Sequence, residues 1–366
     1  MKIIRIISRI IIGIVFIFSG TVKAIDPLGT VYKFQDYFHA FNLDFLSSLS
    51  LIAAIVLCIS EFIGGFIVLF NIRQKAGVWI VLILMIIFTP LTFVLALTNP
   101  VSDCGCFGDA IHLTNWQTFF KNIVIIIPAI YLFITRKYIT PHQGITREWA
   151  ILSIMTVMFL AFIAFNLRYL PVVDFLPYKT GTHIPDKMII PEGAAPDLYE
   201  TTFIYEKNGE SKEFTLDNYP ADDTTWKFVD QKSKLISKGY EPPIHDLTMV
   251  TPEGNDLTDK ILSSEMPVLL MISRKLEEAD PEYLREGIDL GTWCGENSIE
   301  FYILTASGAD QAARHRNGLN LCFTDEITLK TMIRSNPGYI LLEKGTITGK
   351  WSWANVPEKE ALQKII

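Results

Sequence analysis

Hydrophobic positions divide the chain into two unlike halves. Five long apolar runs fill the first: Ile4–Ser19, Leu46–Phe70, Ala76–Leu97, Trp116–Ile134 and Trp149–Leu170. Each is close to the roughly 20 residues that cross a hydrocarbon core as a helix. The first is short, but Ile3 and Thr21–Ala24 extend it. Beyond about residue 170 apolar and charged positions alternate as in a water-soluble protein. The segment Asn166–Pro185, with several prolines and Gly181, reads as an extended tether along the surface of the helical bundle. Thr201–Leu216 alternates on both sides of Asn208-Gly209, a hairpin signal. Pro242 and Pro243 mark a boundary, and a further hairpin is expected around Gly254. Three apolar runs then follow, Val268–Ser273, Glu300–Ala306 and Tyr339–Glu343, with helical stretches between them. They are too short to span a membrane and read as buried strands of an α/β domain.

Charge orients this arrangement. With the N-terminus inside, the inner segments hold Lys2, Arg5, Arg9, Arg73, Lys75, Arg136, Lys137 and Arg147, and the outer loops hold only Lys23 and Lys33. That asymmetry places the N-terminus in the cytoplasm and the second half outside, in the periplasm of a bacterium whose cytoplasmic membrane holds the bundle. Lys2, Arg5 and Arg9 before an apolar run resemble a secretory leader, but no clean cleavage site follows, so the run reads as a retained span. The net charge of −7 gives no basic face for nucleic acid.

Candidate chemistry sits in the loop between the third and fourth runs. Thr98–Trp116 contains Cys104 and Cys106 around a single glycine. A disulfide closing so small a ring is strained and labile, which suits thiol–disulfide exchange. Asp103 and Asp109 flank the pair and are expected to raise the thiol pKa values. A structural disulfide is the competing reading, and a soft-metal site with His112 ranks third. Within the spans, Glu61 is a costly carboxylate that either relays protons, contacts a quinone, or sits neutral and hydrogen-bonded. Cys58 reads as an inert buried thiol, and Gly64–Gly65 as a close helix contact. Pro90 is expected to kink the third span, with Thr89 satisfying the freed backbone. Lys23 and Asp26, at the outer end of the first span, read as a solvated pair near the cysteine loop.

Two resemblances add to this. SDCGCFGD between two apolar spans, with Gly20, Lys23, Asp26 and Pro27 after the first helix and Glu61 in the second, resembles the MauE/DoxX group of membrane proteins over about residues 1–140. The resemblance implies a four-helix membrane bundle with a redox-associated role. That role is disulfide handling in the maturation of exported proteins or quinone-coupled electron transfer. Ser335–Trp351, with Pro337 just before a strand and a glycine turn after it, resembles the end of a thioredoxin-like domain of the TlpA or peroxiredoxin type, over about residues 240–366. There the proline is cis beside the active site. Such a domain carries Cys-x-x-Cys after its first central strand, whereas Ile272–Asp280 contains no cysteine. Pro337 then keeps a structural role, and Cys294 and Cys322 read as core residues able to pair.

The expected architecture is therefore a four-helix membrane domain at 1–140, a fifth span and tether at 141–185, a β-rich segment at 186–240, and a degenerate thioredoxin-like domain at 241–366. The expected function is thiol–disulfide exchange at Cys104 and Cys106, supported by Lys23, Asp26, Glu61 and Asp103. Lipid and an envelope protein are the expected partners, and a quinone is compatible as cofactor. The alternative is a non-catalytic scaffold that binds an envelope partner through the degenerate domain.

Overall fold

The computed structural model describes residues 2–364 apart from 102, 139–143, 208, 217, 221–222, 238 and 317. By contact density the chain divides into two compact units, Met1–Gly181 with Thr248–Ile366, and Thr182–Leu247.

The larger unit begins with six helices: α1 Lys2–Ile25, α2 Pro27–Ala40, α3 Ser50–Phe70, α4 Gln74–Thr98, α5 Asn115–Ile134 and α6 Ile145–Arg168. All but α2 are long and apolar enough to cross a membrane. α2 stands where the sequence pattern gave only a loop. Pro27 at its first position and Asp26 as N-cap, accepting from Gly29 N at 2.9 Å, start it directly after α1. Its apolar positions are interrupted by Lys33, Gln35, Asp36 and His39, which hides the helical period.

Two glycines bring α1 and α3 together. A Cβ on Gly20 would lie 2.6 Å from Phe62 N, and one on Gly65 would lie 2.7 Å from Ile17 N. No side chain fits at either crossing, and this contact sets α1 residues 19 and 23 beside α3 residue 61. Gly64 instead faces Ile80 of α4. Around Pro90 the expected Thr89 contact is absent, since its Oγ1 is buried without a partner. Thr92, two residues on, instead donates to Phe88 O at 2.8 Å and accepts from Asn122 of α5 at 3.1 Å, which ties α4 to α5.

The smaller unit holds α7 Ile184–Met188 and an antiparallel sheet of β1 Leu198–Lys207, β2 Glu210–Thr215 and β3 Lys227–Ser237, in the order β2-β1-β3. Tyr205, Phe214, Trp226 and Phe228 make edge-on ring contacts on it. The hairpin strands flank the expected turn, whose Asn208 lies outside the described residues.

The expected turn around Gly254 is a short hairpin: Val250 bridges Asp256, Thr251 N donates to Asn255 O at 2.8 Å and Leu257 N to Met249 O at 2.9 Å, and α8 Thr258–Leu262 follows. Then follow β4 Val268–Ile272, α9 Pro281–Glu296, β5 Glu300–Thr305, α10 Ala309–His315, β6 Asn320–Phe323, α11 Glu326–Met332, β7 Gly338–Glu343, β8 Thr346–Ser352 and α12 Lys359–Gln363. The sheet order is β6-β5-β4-β7-β8, with β6, β5 and β4 parallel, β7 antiparallel to β4, and β8 antiparallel to β7. That is a thioredoxin-like topology, and the Asn336–Pro337 peptide entering β7 is cis. β4 is buried at every position, as its unbroken apolar run requires. Cys294 in α9 and Cys322 in β6 are buried free thiols, not a pair. The segment after α6 lies on this sheet rather than along the bundle: Gly181 N donates to Ile347 O at 2.7 Å, and Lys350 of β8 binds Asp174 at 2.6 Å and Tyr178 O at 2.8 Å.

Candidate functional site

The loop between α4 and α5 is shaped by its ends and its glycines. Asn99 closes α4 in the left-handed region (φ 45°), and a capping box on Thr114 with Gln117 opens α5. Between them Gly105 (φ 61°) and Gly108 (φ 53°) supply left-handed turns. Asp103 Oδ1 accepts from Gly105 N at 2.8 Å, which folds the cysteines back on each other. Their sulfurs lie 2.6 Å apart, both partly accessible. From α2, Lys33 binds Asp103 at 2.9 Å and the Tyr37 hydroxyl donates to the Cys104 carbonyl. The helix absent from the sequence reading thus forms one wall of the site.

Beneath the loop lies a buried polar cluster. Lys23 Nζ donates to Glu61 at 2.8 and 3.0 Å, to Ser19 Oγ at 2.7 Å and to the Cys106 carbonyl at 2.5 Å. Ser19 Oγ donates in turn to Glu61 at 2.9 Å. The partner of Lys23 is therefore Glu61 and not Asp26. Asp26 pairs with Arg334 at 2.8 Å, and all four side chains are buried, although Lys23 and Asp26 were expected to be solvated. An intramembrane carboxylate and ammonium that share such short bonds avoid the cost either would carry alone.

The electrostatics depart from the expectation that Asp103 and Asp109 raise both thiols. Asp103 is engaged by Lys33 and Asp109 by Arg334, at 2.8 Å. Cys106 is lowered to about 6: the hydrogen bond from Cys104 lowers it most, burial opposes, and the Lys121 and Lys23 cations lower it further. Cys104 is raised by that same hydrogen bond and by burial. Lys121 favours the thiolate form of both cysteines and Lys23 that of Cys106 alone, so charge favours Cys106 as the attacking sulfur. Lys121 of α5, whose ammonium sits 4.4 Å from the Phe107 ring centre, carried no motif that could have singled it out. Methionine at Lys121 is expected to move the Cys106 midpoint up by about one pH unit, read from the pH dependence of its alkylation.

Cysteines and ion pair share one cavity of about 90 Å³. Phe34, Met85, Phe88 and Phe107 give it apolar walls, and Lys23, Glu61, Lys121 and Asn122 give it polar groups. Cys58 is buried in α3, packed with Ala24, Phe159 and Ile163. His112 joins no cluster of metal-ligating residues among the described residues. Pro337 is remote in chain from the cysteines but adjoins Arg334, which touches Asp109 of their loop.

This membrane half is MauE-like. Residues 1–135 match the family described as methylamine utilisation protein MauE. Residues 199–238, in the smaller unit, match a domain of unknown function, DUF8463. A solved thioredoxin-like protein from Bacteroides caccae is similar at 11% identity, over 90% of this chain and 85% of that one, with a TM-score of 0.23. The thioredoxin-like description of the second half rests on its strand order rather than on that likeness. No curated protein matches this chain.

Proposed function

We propose that the protein is a membrane thiol–disulfide exchange factor whose working pair is Cys104 and Cys106. The observation that carries this is the geometry of the pair: two sulfurs 2.6 Å apart in one loop, over a cavity that also holds the Lys121 and Lys23 cations. The MauE-like half supports a redox-associated role in the membrane. The Lys/Arg distribution supports a cytoplasmic N-terminus, with the cysteine loop and the second half in the periplasm of a bacterium.

In the exchange, the Cys106 thiolate attacks one sulfur of a partner disulfide, and the other partner sulfur leaves as thiolate. Cys104 then loses its proton and attacks Cys106 Sγ, which releases the partner's second thiolate. The partner gains two electrons and the pair becomes a disulfide. The reverse sequence oxidises a partner dithiol. The cavity also suits a quinone as a second redox partner, with apolar walls for the ring and Asn122 and Lys121 as donors to its carbonyls. Such a group would supply a two-electron, two-proton acceptor.

The test is thiol trapping of Cys104 and Cys106 across a series of redox buffers. The expected result is a reversible two-electron couple between about −120 and −270 mV, where exchange proteins lie. A bond that never opens, or thiols that never pair, removes this reading. A scaffold is then the better account, and the cysteine-free segment 273–279 of the thioredoxin-like domain favours it. Scaffold function would survive serine at both cysteines.

A further inference from the structure

One arginine of the thioredoxin-like domain reaches the cysteine loop. Arg334 lies just after α11, three residues before the cis proline. Its Nε donates to Asp26 at 2.8 Å, its Nη2 to Asp109 at 2.8 Å, and its Nη1 back to Lys330 O at 2.5 Å. The side chain is 7% exposed. The two carboxylates belong to the two walls of the site. Asp109 follows Cys106 by three residues in the loop. Asp26 caps α2, the helix whose Lys33 and Tyr37 hold Asp103 and the Cys104 carbonyl.

A second contact surrounds it. Tyr32 of α2 has three cations over its ring: Lys330 at 4.9 Å, Arg334 at 5.3 Å and Arg274 at 5.5 Å, and Arg274 also donates to its hydroxyl. Arg274 stands just beyond β4 and Arg334 just before β7, and these strands are neighbours with Ile272 opposite Gly338. The face of the sheet domain at that junction is therefore filled by α2 of the same chain.

We infer that Arg334 is a positioning residue for the cysteine pair: by bridging Asp109 to Asp26 it fixes the loop against α2, so the cysteine-free domain acts on the site in cis rather than as a docking face for another protein. This rests on the reading of Cys104 and Cys106 as an exchange centre. A guanidinium is suited to the part, because its rigid fork serves two carboxylates at fixed angles where an ammonium serves them as a point charge. Losing it leaves a buried carboxylate at Asp26 and a partly buried one at Asp109, one on each wall, free of the charge that joined them.

The experiment is the rate of iodoacetamide alkylation of Cys106 against pH in the full-length, detergent-solubilised protein, read by mass spectrometry. The charged groups around Cys106 are Lys121 from α5, Lys23 from α1, Glu61 from α3, and Lys33 of α2 with the loop's Asp103. Asp109, three residues on in the loop, loses its cation in Arg334→Gln and its own charge in Asp109→Asn, so a purely through-space effect would shift the midpoint up in the first and down in the second, and an upward shift in both reports loop position. Arg334→Gln is expected to raise the midpoint by about one pH unit. Asp109→Asn, which leaves the Arg334–Asp26 bond in place, is expected to shift it in the same direction by less. Arg334→Lys should fall between wild type and Arg334→Gln, and Arg334→Gln with Asp109→Asn should do no more than Arg334→Gln alone. Wild-type midpoints and rates in both single variants overturn the inference. Should Arg334→Gln fail to fold, Asp109→Asn decides. A wild-type midpoint near that of an ordinary thiol, about 8.5, counts against the exchange centre instead. The clamp is then judged by rate alone: faster alkylation in the variants supports it, and unchanged rates overturn it.

Discussion

Serine at Cys106 is expected to abolish exchange, whereas serine at Cys104 is expected to stop it halfway. The asymmetry of the pair dictates the difference. In the proposed exchange Cys106 carries the thiolate, favoured by the Cys104 contact and by Lys121 and Lys23, and makes the first attack. Without it no mixed disulfide forms, because the remaining thiol at Cys104 has lost its activating neighbour and is held protonated by burial. With Cys106 present and Cys104 replaced, the mixed disulfide forms and nothing resolves it. Non-reducing electrophoresis of the membrane-embedded variants therefore separates the roles. A higher-mass adduct should accumulate in Cys104→Ser and be absent in Cys106→Ser. The pH dependence has a definite sign: in the wild type the thiolate fraction of Cys106 grows as pH rises through about 6, so its alkylation should fall below that value, and in Cys104→Ser, which lacks the Cys104 thiol, adduct formation should fall off at a higher pH. Equal adducts from both variants would show that the two sulfurs are interchangeable and would remove the assigned order of attack.

Glutamine at Glu61 is expected to be the most destabilising single change in the membrane half. Lys23 and Glu61 are 4% and 7% exposed at their side chains and bonded at 2.8 Å within the helical bundle. Removing the carboxylate charge leaves the ammonium buried with neutral acceptors alone: the amide oxygen at position 61, Ser19 and the Cys106 carbonyl. Breaking a buried pair in this way costs about 3–5 kcal/mol, whereas replacing both partners by apolar groups is often close to neutral. Thermal unfolding of the full chain in detergent should thus show a large loss for Glu61→Gln and a much smaller one for Lys23→Met combined with Glu61→Leu. A double variant as unstable as Glu61→Gln alone would mean that the contact to the Cys106 carbonyl, and not the charge pair, dominates. Because Lys23 also holds that carbonyl, both variants should change the alkylation of Cys106, which couples the stability of the bundle to the proposed chemistry.

The comparison of pattern with structure turns on the range over which each signal acts. The five spans were legible because hydrocarbon thickness imposes a length and an apolar composition on every crossing helix, and both are local properties. The buried strands β4, β5 and β7 were legible for a similar reason: a strand covered on both faces reads as an unbroken apolar run. The Cys-Gly-Cys loop stood out by composition, and the missing Cys-x-x-Cys after β4 by its absence from a short known window. α2 was not legible, since a helix packed on several sides by polar partners has no clean 3.6-residue stripe.

What the tertiary structure alone decided is which charges meet. Lys23 and Asp26 are near in sequence and might have paired on any local argument, yet α1 turns Lys23 toward Glu61, 38 residues away, while Asp26 meets Arg334, 308 residues away. The glycine crossings of α1 and α3 dictate the first pairing, and the seating of the sheet domain on α2 dictates the second. The same geometry set Cys104, Lys121 and Lys23 against Cys106, which reversed the sign expected for its thiol, and drew Asp103 and Asp109 into ion pairs. A charged side chain carries no periodic signal of its partner, and its interaction energy depends on distance and burial. Local pattern therefore established the spans, the strands and the cysteine loop, and long-range packing established how that loop is charged, held and covered.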